Sequence, residues 1–204
     1  MAGTAILILA AGASSRMRGG DKLMEKVAGA PLLTVVLRRA LAVADLAGGP
    51  VLCALPGPDH PRAALLEGLE VIPVPVVEAA EGMAASIRAG VAALPAGVAA
   101  VMILPADLPD LEAEDLRRML AARADAPEGA ILRAVDAAGR PGHPVLFPAD
   151  LFDELARCQG DSGARAVLQA HPGRLLTVPL PEAHATTDLD TPEDWAAWRA
   201  ARGE

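Results

Sequence analysis

The sequence predicts an α/β domain built on a mainly parallel sheet with helices on both faces. Three observations predict it. Short apolar runs alternate with longer stretches of helical periodicity. Hydrophobic residues make up 52% of the chain but aromatics only 2%, so the core is built from Ala, Val, Leu and Ile. The 204 residues suffice for one sizeable core, and no linker, repeat or low-complexity tail divides them.

The elements follow in order. "TAILIL" (4–9) reads as a buried strand; no basic residue precedes it, which argues against a signal peptide. "PLLTVVLRRALAVADL" (31–46) reads as a helix with Pro31 in its first turn and Gly48 and Gly49 as its stop. Further buried strands are expected at 50–55, 71–76, 99–104 and 129–135. Helices are expected at 82–94, ended by Pro95, and at 112–124, where acids precede arginines as the helix dipole favours. "DAAGRPGHPVLF" (136–147) reads as a turn or hairpin entering another strand, and "TPEDW" (191–195) as a helix start with Thr191 as N-cap.

Composition excludes several classes. A net charge of −8 and a lack of aromatic platforms argue against nucleic-acid binding. No run is long and apolar enough to read as a membrane span. The two cysteines, Cys53 and Cys158, and the four histidines lack metal-ligand spacing, and a reduced cytoplasmic setting is expected.

In open parallel sheets ligands bind beyond the carboxyl ends of the strands. The first such place is "LAAGASSRMRGGDK" (9–22). Its small residues suit an anion cradle of backbone amides, and Arg16, Arg18 and Lys22 bring positive charge into a chain with only two lysines. A surface turn with solvated cations explains the same residues, since neither GxxxxGK[ST] nor GxGxxG is present. The second is Asp107 in "PADLPD", a carboxylate at a strand end suited to Mg²⁺, with Asp110 placed to cap the next helix. The third is Asp188 and Asp190, two acids that the helix start leaves unexplained. Gly82, Ser86 and Arg88 at the start of 82–94 are candidates for nucleotide contact, or for tight helix packing. "GHP" (142–144) and "GDSGAR" (160–165) offer His143 and Arg165, each with a structural reading beside the functional one.

Together these segments resemble one family. The opening signature is similar to that of nucleotidyltransferases that release pyrophosphate from a nucleoside triphosphate. "GMAASIRAG", "PADLP", "GHPVLF", "GDSGAR" and "DLDTPEDW" follow in the order of the molybdenum cofactor cytidylyltransferases and their relatives. The resemblance implies a Rossmann-like three-layer αβα sandwich, similar to nucleotide-diphospho-sugar transferases, over 1–204. It implies that Arg16, Lys22 and Asp107 are catalytic. It further implies that Leu9, Ala10, Ala11, Gly12, Ala13, Ser14, Ser15, Gly82 and Ser86 bind the nucleotide. His143, Asp161 and Arg165 would face the second substrate, and Asp107, Asp188 and Asp190 would hold Mg²⁺. The implied reaction is attack by the terminal phosphate of molybdopterin on the α-phosphate of CTP, with a molybdoenzyme as eventual recipient. Alternatives are a guanylyltransferase for the same cofactor, a transferase for another phosphorylated small molecule, and a non-catalytic cofactor carrier.

Overall fold

Strand β1 (Thr4–Leu9) lies inside a seven-stranded sheet, and its side chains alternate between two cores. In the computed structural model, which describes residues 3–160 and 163–203, Ile6 and Ile8 face one apolar cluster and Ala5 and Leu7 the other. After a small hairpin of β2 (Lys26–Val27) and β3 (Ala30–Pro31), helix α1 (Leu32–Leu41) packs on the Ile6 side. The helix expected over 31–46 breaks at Ala42 and Val43, and α2 (Ala44–Ala47) follows as a separate turn. Gly48 and Gly49 do stop it, but they also open β4 (Gly48–Leu55), because a Cβ at Gly49 would come within 2.6 Å of Thr4 O in the neighbouring strand.

Strand β5 (Val71–Pro75) adds to the outside of β4. Helix α3 (Met83–Ala92) then crosses to the Leu7 face. Its contact is close: a Cβ on Gly90 would lie 2.3 Å from Leu7 Cδ2, so a small residue is required there. Strand β6 (Ala100–Pro105) returns on the other side of β1, with Leu9 opposite Pro105. Helix α4 (Ala113–Asp125), β7 (Ile131–Val135), β8 (Pro141–Pro148), α5 (Phe152–Leu155), α6 (Arg165–Ala170), β9 (Leu175–Pro179) and α7 (Pro192–Ala200) complete the chain.

The strand order is β5-β4-β1-β6-β8-β7-β9, and only β8 runs against the rest. The expected three-layer, mainly parallel architecture is therefore observed, with the expected hairpin provided by β7 and β8. Strand β9 was not legible as a strand; its residues are half exposed at the sheet edge. Because the chain moves from β1 to β4 and β5 on one side and later to β6 on the other, the switch point lies between β1 and β6. Those strands are about 4.8 Å apart, so the loops leaving Leu9 and Pro105 emerge side by side.

Two sequence expectations change near this edge. Asp110 does not cap α4. The helix begins at Ala113, so Glu112 is the N-cap and forms a capping box with Asp115, while Asp110 accepts from Trp198 Nε1 at 2.9 Å and pairs with Arg202. Arg88 turns away from the switch point to pair with Glu78 and Glu81 and donate to Cys158 O. Thr191 caps α7 as expected, through a capping box with Asp194. Among the described residues no helix is long and apolar enough to cross a membrane.

Candidate active site

The loop after β1 lines a cavity of about 630 Å³ through Leu9, Ala11, Gly12, Ala13 and Ser15. Among the described residues, the amides of Ala11, Gly12, Ala13 and Ser14 donate to no backbone carbonyl or side chain. Such a row of unpaired donors has the chemistry to hold an anion. Two residues expected beside the nucleotide lie off the cavity wall. Ala10 is fully buried, its amide donating to Ala54 O at 2.9 Å. Ser14 sits in left-handed backbone (φ 51°), and its hydroxyl donates to Asp21 Oδ1 at 3.2 Å and accepts from the Lys22 amide.

Behind the loop lies a residue the sequence reading missed. Arg62, 1% exposed, comes from the turn after β4. Its Nη1 donates to Ala10 O (2.6 Å) and Gly12 O (2.8 Å), and its Nη2 to Ser14 Oγ (3.0 Å) and Asp21 Oδ1 (2.6 Å). Its Nε donates to Asp21 Oδ2 at 2.8 Å. Burial works to raise the Asp21 pKa, but the Arg62 guanidinium and the surrounding donors outweigh it and hold the carboxyl below its usual range. The available signal was a lone cation just beyond the carboxyl end of the strand beside β1.

Lys22 and Asp107, expected respectively at the phosphates and at Mg²⁺, pair directly with each other. Lys22 Nζ lies 2.5 Å from Asp107 Oδ2 and 2.7 Å from Asp190 Oδ1. Burial opposes the charged ammonium, yet Asp107 and then Asp190 outweigh it, and the Lys22 pKa is raised. The Arg16 guanidinium reaches Asp190 Oδ2 at 2.8 Å from an exposed position. Asp188 lines the same cavity without an ion-pair partner among the described residues; burial first, then the charges of Asp107 and Asp190, raise its pKa. Asp107, Asp188 and Asp190, the three carboxylates expected to hold Mg²⁺, all line this cavity. No group of three or more His, Cys, Asp or Glu residues among those described forms a ready-made metal cage. Asp107 and Asp190 instead close on one ammonium, a donor pair that fits a cation bringing its own phosphate ligands, as Mg²⁺ commonly does.

Gly82 and Ser86, at the start of α3, line the wall opposite the loop. Gly82 has φ 94°, a conformation that favours glycine at this helix entry.

A second cavity, about 360 Å³, shares Met83, Pro105, Asp107 and Asp188 with the first and adds Arg133, Gly142 and His143. It continues into a third, about 340 Å³, where Arg133, His143 and Arg165 meet an apolar wall of Ile87, Phe147 and Leu168. Neither Arg133 nor Arg165 has a carboxylate partner among the described residues; burial and the nearby Arg165 charge lower the Arg133 pKa. His143 Nδ1 is buried with no hydrogen-bond partner among the described residues, and burial, assisted by Arg133, pushes its pKa down to about 4. Arg133 escaped the sequence reading because it sits inside a strand. Asp161 lies outside the described residues. The glycine of "GHP" has a clear reason: a Cβ on Gly142 would fall 1.9 Å from Ala185 O. That close approach lets the 183–190 segment cross β8, where the His143 amide donates to Ala185 O, and delivers Asp188 and Asp190 to the cavity.

Comparison with known proteins places the chain in a family. The family model described as the MobA-like NTP transferase domain matches residues 6–175. The chain is 31% identical over 199 residues to a probable molybdenum cofactor guanylyltransferase of Nostoc sp., covering 93% of this chain and 87% of that protein. It is 31% identical to the molybdenum cofactor guanylyltransferase of Rhodopseudomonas palustris strain HaA2, covering 93% and 88%. Among solved structures, Rv0371c of Mycobacterium tuberculosis superposes with a TM-score of 0.76 at 26% identity, over 97% of this chain and 98% of that one. The chain belongs to the MobA-like NTP transferase family and is a nucleotidyltransferase. The named relatives are guanylyltransferases, which overturns the cytidylyltransferase branch expected from "GHP" and "GDSGAR".

Proposed function

We propose that this MobA-like NTP transferase moves a guanylyl group from GTP to the terminal phosphate of molybdopterin, releasing pyrophosphate. The observation that carries the reading is the shared wall. Asp107 and Asp188 border both the loop cavity and the cavity of Arg133 and His143, so two phosphorylated substrates would meet at these carboxylates. Guanine as the base is supported by the guanylyltransferase relatives.

In this reading the free amides of Ala11, Gly12 and Ala13 hold the triphosphate, with Arg16 and Lys22 neutralising it. Arg133 and Arg165 receive the acceptor's phosphate, and the wall of Ile87, Phe147 and Leu168 receives its less polar body. An acceptor phosphate oxygen forms a bond to the α-phosphorus as the bond from that phosphorus to the bridging oxygen of pyrophosphate breaks. Protein groups need only align the two phosphates and offset their charge. Mg²⁺, when held by Asp107 and Asp190, supplies further charge neutralisation. Lys22 leaves these carboxylates for the phosphates.

The test is pyrophosphate release by purified protein with Mg²⁺ and molybdopterin, offered GTP, ATP, CTP and UTP separately. Release with GTP above the others supports the proposal. Release that requires a different acceptor, or no release from folded protein, overturns it.

A further inference from the structure

We propose that Arg62 is a positioning residue that turns the loop amides toward the triphosphate without touching it. Resting on the nucleotidyl-transfer reading above, this names the part of the site that orders the phosphate cradle. In a trans peptide the carbonyl of one residue and the N–H of the next point in opposite directions. Arg62 Nη1 holds the carbonyls of Ala10 and Gly12 at 2.6 and 2.8 Å. The N–H groups of Ala11 and Ala13 are therefore turned away from Arg62. Both residues line the cavity, and neither amide is used elsewhere among the described residues. Arg62 itself does not border the cavity and is 1% exposed.

The other end of the same guanidinium completes the arrangement. Arg62 Nη2 and Nε bind Asp21, and Asp21 Oδ1 also accepts from Ser14 Oγ and the Leu23 amide. Ser14 Oγ in turn accepts from the Lys22 amide. One buried fork thus fixes both the amide row and the backbone that carries Lys22. A lysine keeps the charge but, with a single ammonium on a flexible stem, cannot reproduce a planar fork spanning two carbonyls, a hydroxyl and a carboxylate.

Binding of inorganic tripolyphosphate by calorimetry separates the readings, with wild type, Arg62→Lys and Arg62→Gln compared where near-UV circular dichroism shows each folded. Both variants should bind at least tenfold more weakly than wild type. Wild-type affinity in both would make Arg62 purely structural, and wild-type affinity in Arg62→Lys alone would make its charge, not its geometry, the contribution; either result overturns the proposal. A second measurement needs no variant. Nitrogen-15 NMR of the wild-type Arg62 guanidinium should show hindered rotation before ligand is added and the same bonded set afterwards, while the Ala11 and Ala13 amides gain exchange protection. A guanidinium that rotates freely without ligand, or moves onto the phosphate, overturns it. Tripolyphosphate binding without nucleotidyl transfer would fault the reaction and leave Arg62's role standing; no tripolyphosphate binding by wild type overturns both.

Discussion

Lys22 and Lys26 are the chain's two lysines, and they should behave very differently when truncated. The Lys22 side chain is 14% exposed, with its ammonium 2.5 Å from Asp107 and 2.7 Å from Asp190. At an effective dielectric of 20, each contact has a gross Coulomb energy of about 6 kcal/mol. Desolvation offsets most of that, and the remaining solvent access screens more, so Lys22→Met should cost about 1–2 kcal/mol of stability. Turnover should suffer more. A preorganised cation at developing phosphate charge is worth about 10²–10³ in kcat, by analogy with removal of one oxyanion-stabilising donor. Lys26 is exposed on the small hairpin, and Lys26→Ala should change stability by less than about 0.5 kcal/mol and turnover by less than about twofold. Pyrophosphate release gives kcat, and urea unfolding gives stability. The pH dependence has a definite sign. Because the folded-state pKa of Lys22 is raised, its stabilisation is complete below its ordinary value of 10.5 and is lost as pH rises through the folded pKa. Equal and mild kinetic effects of the two substitutions would refute the reasoning.

Three further outcomes follow from the same contacts. In nucleotide-free protein, Mn²⁺ followed by electron paramagnetic resonance should bind Lys22→Met about tenfold more tightly than wild type, since no ammonium then competes for Asp107 and Asp190; unchanged binding would show that Lys22 does not compete. His143, held neutral by burial with a pKa of about 4, makes the native state lose stability as pH falls from 6.5 toward 4, by at most about 3 kcal/mol. His143→Gln should flatten that part of the unfolding profile, and an unchanged slope would assign the acid sensitivity elsewhere. Gly142→Ala pushes a Cβ onto the Ala185 carbonyl and should cost about 1–3 kcal/mol while reducing turnover further by displacing Asp188 and Asp190. Gly173→Ala, where a Cβ meets nothing within 4 Å, is the control and should leave turnover unchanged.

The alternation of apolar runs and helices made the layered sheet legible because the central strands β1, β4 and β6 are buried on both faces along most of their length and read as nearly unbroken apolar stretches. Edge position alone does not hide a strand: β5, at one edge with Ile72 exposed, still reads as an apolar run, whereas β9, at the other edge with Leu176 exposed, carries Thr177 inside a shorter one. The helix expected over 31–46 failed differently. Its apolar periodicity continues past Leu41, but a sheet register beginning at Gly48 requires the chain to turn early, and tertiary contact overrode local propensity.

Within the site, legibility followed chemical type. Carboxylates and cations at strand ends, such as Asp107 and Lys22, stand out because an acid or a lone lysine after an apolar run has few structural reasons to be there. Arg62 has such a reason, a buried ion pair with Asp21, and nothing in "DHPRAALL" separates a surface arginine from one threaded under a loop. If the proposed base lies against the wall of Ala79, Ala80 and Gly82, its choice was hidden for a related cause: that wall offers backbone and small side chains, which present no distinctive residue type for a motif to carry. The cavity of Arg133 and His143 is the intermediate case: "GHP" drew attention to His143, but the glycine beside it is the position where a side chain would meet the Ala185 carbonyl. Its missing side chain lets the 183–190 segment cross β8 and bring Asp188 and Asp190 to the edge where β1 and β6 end. The motif therefore marks the assembly of the cavity through a backbone contact, and the carboxylates it brings there, Asp188 and Asp190, lie some fifty residues away along the chain.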